Sequence, residues 1–179
     1  NSKRRPFDSA QGEQDSRLKN HNVVLLDFGA KVNGYCSDMT RVVFVGKPKD
    51  EWKKAYDVVR QANYLAINEL NDMFTSLHAS GKPAFHSGAS LDRWIRESIQ
   101  HKGFPPYTHS LGHGVGLAIH EQPRLSYKKD CKLLPGMVVT IEPGIYVEGS
   151  YGIRIEDLVV LKEEGIEVIS KATKSFTIL

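Results

Sequence analysis

The chain has 179 residues, with 24 Lys and Arg against 21 Asp and Glu for a net charge of +3, which suits one domain and is too short for two large ones. Its basic residues are scattered (Lys53, Lys54, Lys128, Lys129) instead of gathered in a stripe with interleaved aromatics, so a nucleic-acid role has little support. No run approaches the roughly 18 apolar residues of a membrane span, no signal-peptide pattern opens the chain, and the two cysteines, Cys36 and Cys131, are too few for a disulfide framework and fit a reducing cytoplasm.

Residues 1–21 are polar and lack apolar periodicity, which reads as a tail or the remnant of a missing segment and leaves 22–179 as the domain proper. VVLLDFGAKV, Asn33-Gly34 and YCSDMTRVVFVG then form the pattern of a β-hairpin with a tight turn. Pairing about that turn sets Asp27 opposite Thr40 and makes Asp38 its diagonal neighbour on one sheet face, with Cα atoms roughly 7–8 Å apart. A helix follows, with Asp50 as the expected N-cap and Trp52, Tyr56, Val59, Ala62, Ala66 and Leu70 as its apolar face. The Gly-, Ser- and His-containing stretch from His78 to Ser90 reads as a loop. It leads to a second helix with Leu91, Trp94, Ile95 and Ile99 on the apolar face and a stop at Gly103.

The remainder is β-rich, around Leu117–His120, Met137–Tyr146, Ile153–Leu161 and Glu167–Ile169. His113 and His120 are separated by an odd number of residues, so one regular strand would point them to opposite faces, and Gly112, Gly114 and Gly116 argue against a helix. A bulge or bend between them is therefore expected, bringing both toward one cavity. Glu142 precedes Pro143 and is biased to extended backbone at a strand end. Arg154 and Glu156 share a strand face, where an arginine commonly holds a carboxylate for a metal.

Taken singly, each residue has a plain reading. A strand Asp more often caps a turn, a His on an apolar strand is more often a hydrogen-bonded core residue, Arg154 with Glu156 is by default an ion pair, and Tyr107, Tyr146 and Tyr151 are by default packing residues. The joint pattern is different. Asp27, Asp38, Glu142 and Glu156 each lie in or beside an apolar run, where unpaired carboxylates are costly to desolvate. Two divalent cations would balance their four charges.

The ordered series LLDFGAKVNGYCSDMTR, HSLGHGVGLAIHEQP, PGMVVTIEPGIY and GIRIEDLVV resembles the metallopeptidases of the pita-bread fold, which include methionine aminopeptidase, aminopeptidase P and prolidase. GIRIEDLVV is similar to the Xaa-Pro branch, whereas methionine aminopeptidases carry Glu-His-Thr there. The resemblance implies an α+β domain with a curved antiparallel sheet and outer helices, truncated at its N-terminus. It implies Asp27, Asp38, His113, Glu142 and Glu156 as ligands of two divalent ions, manganese first with cobalt and zinc as alternatives.

It further implies a peptidase acting on peptides with proline in second position. Glu142 would be ligand and proton shuttle, His120 would face the carbonyl oxygen, His109 would line the substrate cavity, and Arg154 would support the catalytic set. The intact protein is expected to be a cytoplasmic homodimer. The alternatives are a pita-bread domain that binds peptide or protein without cleaving it, and a methionine aminopeptidase. Two features depart from the family pattern: Ala10 stands where a further catalytic histidine is expected, and the helices and strand that open the family's catalytic domain are not recognisable.

Overall fold

The structure is a computed structural model that describes residue 18, residues 21–80 and residues 86–179. The expectations for the polar segment, Ala10 included, fall almost wholly outside these residues. The chain order is β1 (Asn22–Phe28), β2 (Lys31–Val32), β3 (Tyr35–Cys36), β4 (Met39–Val45), α1 (Asp50–Ser80), β5 (His86–Ser87), α2 (Gly88–His101), β6 (Gly112–Gly114), β7 (Glu121–Leu125) and β8 (Lys132–Leu133). There follow β9 (Val138–Ile141), β10 (Gly144–Val147), β11 (Tyr151–Arg154), β12 (Asp157–Lys162), β13 (Gly165–Val168) and β14 (Thr177–Ile178). The class is α+β, as expected.

The Asn-Gly turn fixes the first ladder. Asn33 and Gly34 both have positive φ, 51° and 87°, the backbone of a tight hairpin turn whose twist matches its flanking strands. One register runs through both ladders, from Lys31 opposite Cys36 to Asp27 opposite Thr40. Between the ladders Ser37 accepts from the Ala30 amide at 3.0 Å. Asp38 lies in this interruption, just before β4, and its carboxylate comes close to that of Asp27, as expected of diagonal neighbours.

Two sheets carry the rest. The order β13-β12-β9-β6-β7 makes a five-stranded sheet, and β1-β4-β14 a three-stranded one. β14 runs parallel to β4, so the sheet system is not wholly antiparallel. The β-rich runs 137–146 and 153–161 each hold two strands, and the first breaks at the strand end expected at Glu142. β9 pairs with β12 in the larger sheet, while β10 pairs with β11 in a separate hairpin. The chain therefore changes partners at Glu142-Pro143 and again at Ile155-Glu156. Pro143 has no N–H to continue a ladder, the Glu142 amide turns to the Leu111 carbonyl at 2.8 Å, and the Glu156 amide turns to Thr40 at 3.1 Å. A bridge between Thr40 and Glu156 ties the two sheets together there.

The helices cover this system. α1 runs on to Ser80, well past the expected face, because Ile67, Leu70 and Phe74 keep the helical spacing and are buried; of the expected loop, residues 78–80 and 88–90 are helical. Lys49, not Asp50, accepts the first helical bonds, from Trp52 at 3.1 Å and Lys53 at 3.2 Å, and Asp50 sits in the first turn paired with Lys53 Nζ at 3.0 Å. α2 is capped by Ser87, whose hydroxyl accepts from the Ser90 amide. It stops as expected at Gly103, with amide bonds from Gly103 to Gln100 and from Phe104 to Ile99. Trp94 departs from its expected face and is 39% exposed, whereas Leu91, Ile95 and Ile99 are buried. The core joins Phe44, Trp52, Tyr56, Leu70, Phe74, Ile141, Ile153 and Ile155, with Phe44 stacked on Phe176 at 4.4 Å between centroids. Each such large side chain contributes about 1.5–3 kcal/mol through burial.

Candidate metal centre

The strand exchanges open a cavity of about 250 Å³ lined by Asp27, Asp38, His109, Ser110, His113, His120, Arg124, Glu142, Arg154 and Glu156. All eight residues singled out by the sequence for metal or catalysis line it. Asp27 comes from β1 opposite Thr40, and Asp38 from the coil before β4. His113 comes from β6, whose register shifts between His113 and Gly114, the irregularity expected of the glycine-rich segment. Residues 117–120 form no strand, and β7 starts only at Glu121. That bend brings His120 back onto His113, with ring centroids 4.5 Å apart.

His113 has its Nδ1 3.1 Å from the Gly114 carbonyl. A carbonyl can only accept, so Nδ1 carries the proton and Nε2 is left with a free lone pair. Burial holds the ring's pKa below its ordinary value, more than Asp38 raises it, which keeps it neutral and able to ligate. Nε2 lies 3.5 Å from Glu142 Oε1 and 3.7 Å from Asp38 Oδ2. β6 can approach this closely because Gly112 lacks a side chain; a Cβ there would sit 1.8 Å from the Thr140 carbonyl oxygen.

The acids are buried close to one another, and their ionisation is disfavoured. Burial, then the neighbouring Glu156, pushes Glu142 up to about 8. Burial likewise raises Glu156 to about 7, against the hydrogen bond from Thr40. Asp38 is raised by burial and by Asp27. Three sets of side chains place ligand atoms within 4.8 Å of one another: Asp38, His113 and His120; His113, Glu142 and Glu156; and Asp27, Asp38 and Glu156.

Arg154 does something other than hold Glu156 directly. Its Nη2 pairs with Asp27 Oδ2, its Nε donates to Thr40 Oγ1 at 3.1 Å and its Nη1 to the Tyr146 hydroxyl at 3.1 Å. It reaches Glu156 only through Thr40, which donates to Glu156 Oε2 at 2.5 Å. His109 is pinned, Nδ1 to the Ser110 carbonyl at 2.8 Å and Nε2 to the Tyr146 hydroxyl at 2.9 Å. Tyr146 accordingly does more than pack. Arg96 of α2 holds the Tyr107 and His109 carbonyls and pairs with buried Asp92 at 2.9 Å.

Sequence reading missed Arg124, Ser110, Thr40 and Thr140. Thr40 and Thr140 stand two residues from Asp38 and Glu142, the strand-period signal that could have flagged them. Arg124 is the cross-strand partner of His113 and donates to Ser110 Oγ at 3.3 Å. Behind the site, Arg41 donates to the Thr40 and Glu156 carbonyls at 2.9 and 2.6 Å. It pairs with Asp157, as does Lys174, each at 2.6 Å. This buried cluster fixes the backbones of Thr40 and Glu156 on either side of the sheet junction.

Residues 6–163 match metallopeptidase family M24. The chain belongs to that family. This M24 domain is 42% identical over 166 residues to Uncharacterized peptidase YqhT of Bacillus subtilis (strain 168), covering 92% of this chain and 44% of the relative. It is 39% identical over 161 residues to the Xaa-Pro dipeptidase of Pyrococcus furiosus, covering 89% and 43%. Among solved structures, the X-Pro aminopeptidase of Thermotoga maritima MSB8 superimposes with a TM-score of 0.79 at 40% identity, over 90% of this chain and 43% of that one. The chain thus spans less than half the length of these relatives. Its α+β arrangement is the M24 pita-bread fold. M24 metallopeptidases use divalent metals, and the three sets of side chains above are candidate ligands for them.

Proposed function

We propose that this domain binds two divalent ions, manganese first, through Asp27, Asp38, His113, Glu142 and Glu156, and that the protein carrying it hydrolyses the bond between an N-terminal residue and a following proline. One observation carries the two-ion reading: Glu156 belongs both to the set with His113 and Glu142 and to the set with Asp27 and Asp38. Two neighbouring clusters that share a carboxylate would suit two ions better than one. The donors fit, since burial and mutual repulsion raise both acids toward neutrality in spite of the nearby Arg154 and His113 offers a bare Nε2. Oxygen-rich ligation favours manganese or cobalt over zinc. Bound there, the ions would supply Lewis-acid polarisation and an acidified water.

The chain's own residues supply the rest. Glu142 Oε2, facing His109 Nδ1 at 3.8 Å and Arg154 Nε at 4.0 Å, is the oxygen that takes a proton from the attacking water and returns it to the leaving nitrogen. His120, exposed at the cavity mouth, is free to donate to the carbonyl oxygen in the transition state. His109 has both ring nitrogens occupied and forms a wall. Arg154 holds Asp27 and Thr40 in place. A proline amide has no N–H, so a cavity shaped for its ring rejects other residues by fit. The Xaa-Pro dipeptidase and aminopeptidase among the relatives support that specificity.

The test is hydrolysis of Ala-Pro, a longer Ala-Pro peptide and Met-Ala, with manganese, by the protein carrying this domain and by its Glu142→Gln variant. Cleavage of the proline peptides by the parent alone is expected. Preferential cleavage of Met-Ala, or full activity in the variant, overturns the reading.

A further inference from the structure

Two buried threonines stand behind the two buried glutamates. Thr40 and Thr140 are both fully inaccessible, and each hydroxyl is caught between one obligate donor and one carboxylate. Thr40 Oγ1 receives Arg154 Nε at 3.1 Å and lies 2.5 Å from Glu156 Oε2. Thr140 Oγ1 receives the His113 amide at 3.0 Å and lies 3.3 Å from Glu142 Oε1. A guanidinium and a backbone amide can only donate. Each hydroxyl therefore accepts from its nitrogen and has one direction left for its own proton, the carboxylate. Solvent cannot reorient either group.

We infer that Thr40 and Thr140 are positioning residues that fix Glu156 and Glu142 as metal ligands, and that they divide the task unequally between the two ions. The inference rests on the two-ion reading. The inequality follows from the ligand sets: Glu156 is common to two of them, whereas Glu142 enters only the one with His113 and Glu156. Loosening Glu156 through Thr40 disturbs both ions. Loosening Glu142 through Thr140 disturbs one. Thr40 has a second reach, since the arginine that points its hydroxyl also holds Asp27, a member of the other set.

Groups that orient metal ligands typically change affinity about 10–100-fold when removed, and threonine to valine removes the hydroxyl while keeping the shape. The experiment titrates manganese into metal-free wild-type chain, T40V, T140V, T40S and T140S by calorimetry, with cobalt absorption spectra as an independent readout of ligand geometry. Metal-free melting checks that each variant folds. T40V is expected to weaken both binding steps by about 10–100-fold and T140V only one, while the serine variants return to within about threefold.

Two unchanged steps in folded T40V or T140V overturn the inference, as do serine variants no better than their valine counterparts. Should T40V not fold, T140V carries the same test through its single ion, since an unchanged titration there also overturns it. A wild-type chain that takes up no pair of ions refutes the two-ion reading itself, which is a different result from normal uptake by the variants.

Discussion

The metal-free site makes stability depend on pH in a direction opposite to that of most carboxylates. Glu142 and Glu156 are displaced from 4.5 to about 8 and about 7, so across that range the folded chain holds protons that the unfolded chain has released. Stability from these acids is greatest below 4.5 and falls as pH rises through their folded values. His109 and His113, lowered by burial, act in the other sense, mainly below their ordinary 6.5. Between pH 6.5 and 8 their opposition fades as the unfolded histidines lose their protons. At about 1.4 kcal/mol per pH unit for each proton retained, the loss over this window is on the order of 2 kcal/mol, most of it from Glu142. For a domain of this size that is a fall in melting temperature of about 4–8 °C.

The assay is thermal or urea unfolding of the 179-residue chain in excess chelator at pH 6.5, 7.25 and 8. Glu142→Gln should retain less than half the slope, leaving under about 1 kcal/mol. Saturating manganese should reverse the slope, since the ions hold the acids ionised and bind more tightly as protons leave. A chelated wild-type chain whose stability is flat or rising over this window, or a Glu142→Gln chain with the wild-type slope, refutes the reasoning.

Three further outcomes are expected. Asp38→Asn should reduce ion occupancy, read by elemental analysis, and shrink the gain in melting temperature on adding manganese, because ions that bind only the folded chain stabilise it. Asp157→Ala should cost about 3–5 kcal/mol in urea unfolding, since it leaves buried Arg41 and half-buried Lys174 without their shared carboxylate. Gly112→Ala should destabilise by about 1–3 kcal/mol and weaken ion binding, because its methyl group meets the Thr140 carbonyl and pushes β6, which carries His113, away from β9; normal titration by a folded Gly112→Ala chain would contradict this.

What the sequence disclosed about this site depended on whether the signal was local. The hairpin register was legible because Asn33-Gly34 admits few turn geometries, and a two-residue turn counted outward leaves only one partner for Asp27. The bend between His113 and His120 was legible because an odd spacing cannot bring two side chains to one face of a regular strand. Partner exchange was not. VVTIEPGIYV keeps its apolar alternation straight through Glu142, while in YGIRIEDLVV Asp157 takes the place that follows Ile153 and Ile155 in the alternation; alternation reports which face is buried, not which strand supplies the hydrogen bonds.

Pro143 hinted at the first break, and the charged pair Glu156-Asp157 was the one mark of the break at Ile155. Arg124 was hidden for the same reason, since its place opposite His113 depends on a bulged pairing between β6 and β7. The exchanges also explain where the site lies. In a continuous sheet Glu142 and Glu156 would each be held by a neighbouring strand and separated by the ladder. At the exchange their amides turn instead to Leu111 and Thr40, and the two strands part after Ile141 and before Asp157. The gap between the two ladders is the space into which β1, β6, the coil before β4 and the two exchange points at Glu142 and Glu156 deliver candidate ligand atoms.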